Sequence, residues 1–392
     1  MSLIKKMKKD HTEKYQGFEQ GPIRPPSEAY SLLIRVTRNC PWNFCTFCPV
    51  YKNRPFSLRP VEHVLEDIDM VARHVDSLRK NKDSRGMIDG KGLNDLAQKI
   101  PEGESQAFYA AMRWFSGKMR SIFIQDANSL IIPPSDMIRI LKHLKKHFYW
   151  VERITSYARS RTIARIKDED LASIADAGLN RIHIGMESGA DSVLKMVKKG
   201  VTKAVHIKAG LKVKKAGMQL SEYVMPGLGG KKLSKEHALE TADALNRIDP
   251  EFIRLRSLAI PNNVPLFNEW QSNRFEKCTD VETVKEILMF IEALEGIHSE
   301  IKSDHILNLF EEIEGKLPRD KEKMIGVLRT FLEMDPNQQC LFQVGRRFGI
   351  FRHLSDMDSS RRLNRVEQVC KENGITPENV DSVIDELMKR YI

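Results

Sequence analysis

From Ala29 to Leu258, short apolar runs alternate with longer segments whose apolar residues recur every three or four positions. Ala29 to Thr37 (AYSLLIRVT) is rich in strand formers and predicts a strand. Val61, Val64, Leu65, Ile68, Val71 and Val75 share one helical face. Ser121–Gln125 is the next strand, followed by an amphipathic helix opening at Pro134-Ser135-Asp136. Arg153–Tyr157 (strand), Asp168–Ala177 (helix) and Arg181–Met186 (strand) repeat the theme. Two helices follow, one through Lys199 and one over Thr202–Ala216, then strand Gln219–Val224, helix Lys235–Ala244 and strand Phe252–Leu258.

Gly178 and Gly217 each stop a helix and are each followed by an apolar residue entering a strand, an internal echo of one βα unit. Strands alternating with helices argue for an α/β fold with a parallel sheet, here a partial TIM-type (βα)6 barrel over residues 29–262. Residues 81–118 have weak periodicity and read as an insertion. Residues 1–28 form an extended basic N-terminal segment, and 263–392 a helical accessory domain, with helical periodicity alone from about Val281.

With 41% hydrophobic and 30% charged residues, the composition is that of a soluble globular chain. No apolar run approaches the ~20 residues of a membrane helix. Met1–Lys14 lacks the apolar core and cleavage site of a signal peptide, so a cytoplasmic protein is expected. The net charge of +10 concentrates in the first fourteen residues and in Arg346, Arg347, Arg352, Arg361, Arg362 and Arg365. No aromatic stacking motif accompanies these charges, so they read first as solvated surface; nucleic acid is allowed but not implied.

The cysteines change the picture most. Cys278, Cys340 and Cys370 are scattered and read as small buried hydrophobes. Cys40-Pro-Trp-Asn-Phe-Cys45-Thr-Phe-Cys48 follows the first strand directly, and three thiolates there can bind a metal or cluster while leaving one coordination position open. Structural zinc would want a fourth ligand at finger-like spacing, and His63 lies inside a predicted helix. A thioredoxin-like Cys45-x-x-Cys48 pair leaves Cys40 unexplained.

At these residues the chain resembles the radical S-adenosylmethionine (SAM) enzymes, in particular the branches of methylthiotransferases, coproporphyrinogen dehydrogenase-like enzymes and Elongator-like proteins. Phe47 fills the family's aromatic place before the last cysteine, and one extra residue separates Cys40 from Cys45. The resemblance implies a [4Fe–4S] cluster on Cys40, Cys45 and Cys48, with SAM on the fourth iron cleaved to methionine and a 5′-deoxyadenosyl radical that takes hydrogen from a substrate. It also implies an electron donor such as flavodoxin or ferredoxin.

Several further positions match places where this family contacts SAM. Asp126 and Asn128 follow the second barrel strand, where relatives carry a Gly-Gly-Glu stretch; an Asx turn with a helix cap is the competing reading. Glu187-Ser188-Gly189 resembles the fourth-strand motif, in which the acid meets the SAM ribose. Lys199 would place a cation near the SAM carboxylate, or simply complement a helix dipole. Gly227 and Pro261 end the fifth and sixth strands, where relatives approach adenine; the helix after the glycines is expected to begin late. His183 reads as a core histidine, and Ser303-Asp304-His305 as the cap of a following helix. The competing functional reading is a non-catalytic iron–sulfur or zinc protein that binds nucleic acid or a protein partner through its basic ends.

Overall fold

The computed structural model describes residues 14–389, which divide into two compact units. The first comprises chain segments up to Pro41, Asn53–His183 and Lys212–Gln219. It holds β1 (Leu32–Arg35), a small ribbon of β2 (Thr37–Arg38) and β3 (Ser57–Leu58), α1 (Val61–Lys80), α2 (Gly90–Ala97), α3 (Ser105–Ser116), β4 (Ser121–Gln125), α4 (Pro134–His147), β5 (Arg153–Ala158), α5 (Ser160–Ile163), α6 (Asp168–Asp176) and the start of β6 (Arg181–Glu187). β1 pairs in parallel with β4, and β4 with β5. Ile122, Phe123 and Ile124 are all fully buried, as a strand covered on both faces requires, which is why SIFIQ reads as an unbroken apolar run.

The second unit comprises Trp42–Lys52, Ile184–Leu211 and Leu220 onward. It contains the end of β6, α7 (Asp191–Met196), most of α8 (Lys203–Lys215), β7 (Gln219–Val224), α9 (Gly230–Ile248), β8 (Phe252–Leu255), α10 (Pro265–Gln271), α11 (Asp280–Glu292), β9 (Glu300–Lys302), β10 (Gly315–Lys316), α12 (Lys321–Glu333), α13 (Pro336–Arg347), α14 (Ser360–Asn373) and α15 (Val380–Met388). β7–β8 and β8–β9 are parallel, and β10 turns back antiparallel on β9. The strand order is β1-β4-β5-β6-β7-β8-β9-β10, a mostly parallel α/β sheet of the partial TIM-barrel type. Gly178 and Gly217, at φ +117° and +77°, take up the left-handed conformation that closes the helices before them.

Within residues 81–118 lie two helices, and α3 packs on α1, burying Trp114, whose indole N–H donates to the Ser121 carbonyl at 2.8 Å. Three local expectations need correction. The segment from Val281 is not helical throughout, because β9 and β10 extend the sheet with runs of three and two residues, too short to show alternation. α9 begins at Gly230 itself rather than late. No helix follows Ser303-Asp304-His305; the Ser303 hydroxyl instead donates to the Phe310 carbonyl within the β9–β10 connection.

Residues 14–28 have little regular structure but are tied into the first unit. The Tyr15 hydroxyl donates to Asp67 at 2.7 Å, and Glu19 bridges Arg38 and Arg59 at 2.8 and 2.6 Å. Glu28 is fully buried between His183 (3.4 Å) and Arg153 (3.0 Å). His183 is thus a core residue. Burial alone would raise the Glu28 pKa, yet its hydrogen bond to His183 and the charge of Arg153 hold it down at about 2. The lysines among the first thirteen residues lie outside the described part of the chain.

Candidate functional site: the cysteine loop and the strand ends

Cys40, Cys45 and Cys48 are half-buried, whereas Cys278, Cys340 and Cys370 are buried. Burial pushes the thiols of Cys278 and Cys340 up to about 12, so they stay neutral at physiological pH and are poor metal ligands. In the first unit, the chain reaches Cys40 through Asn39, whose φ of +67° aims it out of β2. The Asn39 N–H donates to Asp126 Oδ2 at 3.1 Å, and Arg35 grips the same oxygen with Nε and Nη2 at 2.9 and 2.7 Å. Asp126, expected near the SAM amino group, is therefore buried against a guanidinium and orients the residue preceding a cysteine. Asn128 joins two loops: its Nδ2 donates to Thr162 Oγ1 and its Oδ1 accepts from the Arg159 N–H, both at 2.9 Å.

In the second unit, Trp42–Lys52 is laced down residue by residue. Trp42 Nε1 donates to the Lys198 carbonyl (2.8 Å), the Thr46 N–H to the Val197 carbonyl (3.0 Å) and the Leu266 N–H to the Thr46 carbonyl (3.0 Å). Lys52 Nζ reaches the carbonyls of Asn43 and Cys45 at 3.0 and 2.7 Å. Phe47 packs into an apolar cluster with Val193, Val197, Met225 and Ile260. Its ring anchors the Cys45–Cys48 turn, whose cysteines are half-buried while the backbone around them is held.

At the end of β6, Glu187 sits at φ +65°, an uncommon and costly conformation for this residue type and a mark of functional constraint. Its Oε1 accepts from Lys199 Nζ at 2.9 Å, and the Lys199 ammonium lies 5.8 Å from the centre of the Phe47 ring. A Cβ on Gly185 would stand 2.3 Å from Glu187 Oε1, so the glycine makes room for the carboxylate. Ser188 and Gly189 play a supporting part. The Ser188 hydroxyl lies 2.8 Å from His237 Nδ1, and His237 Nε2 lies 3.0 Å from the Met225 carbonyl. A carbonyl only accepts, so His237 carries its proton on Nε2 and the serine donates to Nδ1. Gly189 lets α9 approach closely, since a Cβ there would fall 2.4 Å from the Glu240 carbonyl oxygen. Gly227, at φ +85°, gives its N–H to Glu286 Oε1 at 2.6 Å. Pro261 is buried and accepts the Val264 N–H at 3.4 Å.

Two residues that pattern reading missed complete the set. Glu222, on β7, is fully buried, and among the described residues neither carboxyl oxygen has a hydrogen-bond partner. Burial first, and the negative charge of Glu187 second, raise its pKa well above the ordinary carboxylate value, against the opposing charge of Lys199. Arg256, just beyond β8, lines a small cleft with Phe47, Cys48, Met225 and Leu307, and its buried Nε has no hydrogen-bond partner among the described residues. Both could have been suspected from charged residues interrupting apolar strands, QLSEYV and FIRLRS. Beside Arg256, His305 is kept neutral, its pKa lowered to about 4 by burial and by that guanidinium.

The C-terminal arginines that suggested a nucleic-acid face are largely neutralised within the second unit. Arg346 and Arg352 pair with Glu311 (2.7 and 2.6 Å), Arg347 pairs with Asp280 (3.0 Å), and Arg362 pairs with Asp356. Among the described residues no helix is long and apolar enough to cross a membrane.

No curated protein matches this chain. Among solved structures, coproporphyrinogen III oxidase (HemN) from Escherichia coli is similar at 14% identity and TM-score 0.44, covering 67% of this chain and 52% of the other. The archaeal Elp3 of Methanocaldococcus infernus is similar at 15% and 0.39, covering 47% and 48%, and the radical SAM methyltransferase TsrM of Kitasatospora setae at 13% and 0.42, covering 62% and 38%. The chain thus spans about half or less of the length of each of these proteins. Residues 34–245, more than half of the sequence, match the profile of the Radical SAM superfamily. This chain belongs to the radical SAM superfamily.

Proposed function

We propose that the chain uses Cys40, Cys45 and Cys48 to hold a [4Fe–4S] cluster and abstracts a hydrogen atom from an organic substrate. The observation that carries this reading is the cysteine run itself: three half-buried thiols at the end of a strand, a soft donor set that fits three irons and leaves the fourth open. When bound, the cluster supplies one electron to cleave SAM to methionine and a 5′-deoxyadenosyl radical.

The protein's own residues orient and enclose. Glu187 is the acceptor for the ribose hydroxyls, because a carboxylate can take two donors of a vicinal diol and still keep Lys199. Glu222, without a hydrogen-bond partner among the described residues, is a second polar group whose buried oxygens call for a ligand. Lys199 and Arg256 supply cations for a carboxylate. The backbone at Gly227 and Pro261 offers adenine a surface without side-chain bulk. Asp126 and Asn128 act one step back, fixing Asn39 and the Arg159 loop. Electrons come from a small donor such as flavodoxin or ferredoxin, and an oxygen-sensitive cluster on accessible thiols suits the reducing cytoplasm.

The test is anaerobic reconstitution with iron and sulfide, reduction with dithionite, addition of SAM and chromatography for 5′-deoxyadenosine. The expected result is its formation in the wild type and its absence in Cys40→Ala, Cys45→Ala and Cys48→Ala. A loaded, reduced cluster whose paramagnetic resonance spectrum is indifferent to SAM would overturn the reading.

A further inference from the structure

Away from the cysteine loop, two histidines and an aspartate in the first unit converge on a single point. His143 and His147 stand one turn apart near the end of α4, and Asp69 faces them from α1. Nε2 of His143 and of His147 lie 2.7 and 2.8 Å from the same oxygen, Asp69 Oδ1, with the two rings 4.7 Å apart. We propose that Asp69, His143 and His147 form a second metal site that takes a divalent transition ion, zinc by preference, and that ties α1 to α4.

The donor set is the argument. Two imidazoles at i and i+4 plus one carboxylate are borderline-soft N/O ligands suited to zinc, and three protein ligands leave a fourth tetrahedral position for water. All three donor atoms already lie within 4.8 Å of one another. Ligands at ~2.0–2.1 Å from a tetrahedral zinc stand about 3.3 Å apart, so admitting the ion takes a withdrawal of the carboxylate from each imidazole by roughly half an ångström. Each neutral imidazole then keeps its proton on Nδ1 and presents the Nε2 lone pair. His143 is 20% exposed, His147 27% and Asp69 45%, open enough for an ion to enter and sheltered enough to be held. One turn away, Arg139 is paired with Glu62 at 2.7 Å, which neutralises the nearby guanidinium that would otherwise repel a cation.

This inference is independent of the cluster, and its test keeps the cysteines occupied. Cluster-loaded enzyme is dialysed to equilibrium against zinc in modest excess, and zinc per chain is measured for wild type, His143→Ala/His147→Ala and Asp69→Asn, with circular dichroism as the check on folding. Wild type is expected to hold one more zinc than the double histidine variant and to gain thermal stability with zinc, a gain the variant lacks. Asp69→Asn should weaken binding by at least the ~10–100-fold that loss of a supporting partner costs. Equal zinc content and affinity in wild type and the double variant would overturn the proposal, as would wild type that takes up no zinc.

Discussion

Replacing Glu187 by alanine tests the assignment of the strand-end carboxylate. The side chain is largely buried against Lys199, so circular dichroism and iron content serve as the check that the variant folds. A charge-assisted hydrogen bond is worth about 1.5–3 kcal/mol, a tenfold to hundredfold change in affinity. Glu187 also serves Lys199, 2.9 Å away, so part of its charge is already satisfied before a ligand arrives. The expected loss therefore lies near the lower end, about tenfold in SAM affinity. Glu187→Gln, which keeps shape and removes charge, should fall between the variant and wild type. The assay is a SAM titration followed by the paramagnetic resonance of the reduced cluster, with iron content checked in parallel. Lys199→Met closes a double-mutant cycle: because the two groups touch, their effects should be less than additive. An intact cluster with unchanged SAM affinity in Glu187→Ala would refute the ribose role.

Gly189→Ala places a methyl group 2.4 Å from the Glu240 carbonyl, where backbone must move, and should destabilise the enzyme by about 1–3 kcal/mol in chemical denaturation. Gly200→Ala, whose Cβ would fall 2.1 Å from the Trp42 ring, should free the Trp42–Lys52 segment and lower iron retention while far-ultraviolet dichroism stays native. Glu28 is ionised when folded, down to about 2, and more readily protonated when unfolded, so its contribution to stability is present above the ordinary carboxylate pKa near 4.5 and is lost as the pH falls from there toward 2. The urea midpoints of wild type and Glu28→Gln should accordingly converge on acidification, and a constant gap would contradict the pairing with His183 and Arg153.

Much of the barrel is written in local pattern. Ser121–Gln125 and Gln219–Val224 are strands over the span that their apolar runs predict, and α4 starts at the proline that signals it. These elements are legible because burial on both faces of a parallel strand, or on one face of a helix, repeats at a period visible within a few residues. The cysteine run is legible for a related reason, since its ligands are close in sequence and a short loop can carry them together.

What escaped local reading depends on partners far along the chain. α9 starts at Gly230, a poor helix former, where the loop before it is closed by the Gly227 N–H bond to Glu286, fifty-nine residues on. β9 is a strand only because β8 offers it an edge. Asp126 is held by Arg35, ninety-one residues away, a pairing that no local pattern shows. Glu222 reads as an oddity in a strand until burial strips it of water. Asp69, His143 and His147 carry no joint signal in the sequence, because seventy-four residues separate the first two. Sequence by itself carried the barrel's longer elements and the family resemblance, both of which rest on short-range periodicity and spacing. Which polar groups neutralise one another and which are left open to a ligand was decided by tertiary structure alone, because burial and charge pairing are properties of residues brought together only by the fold.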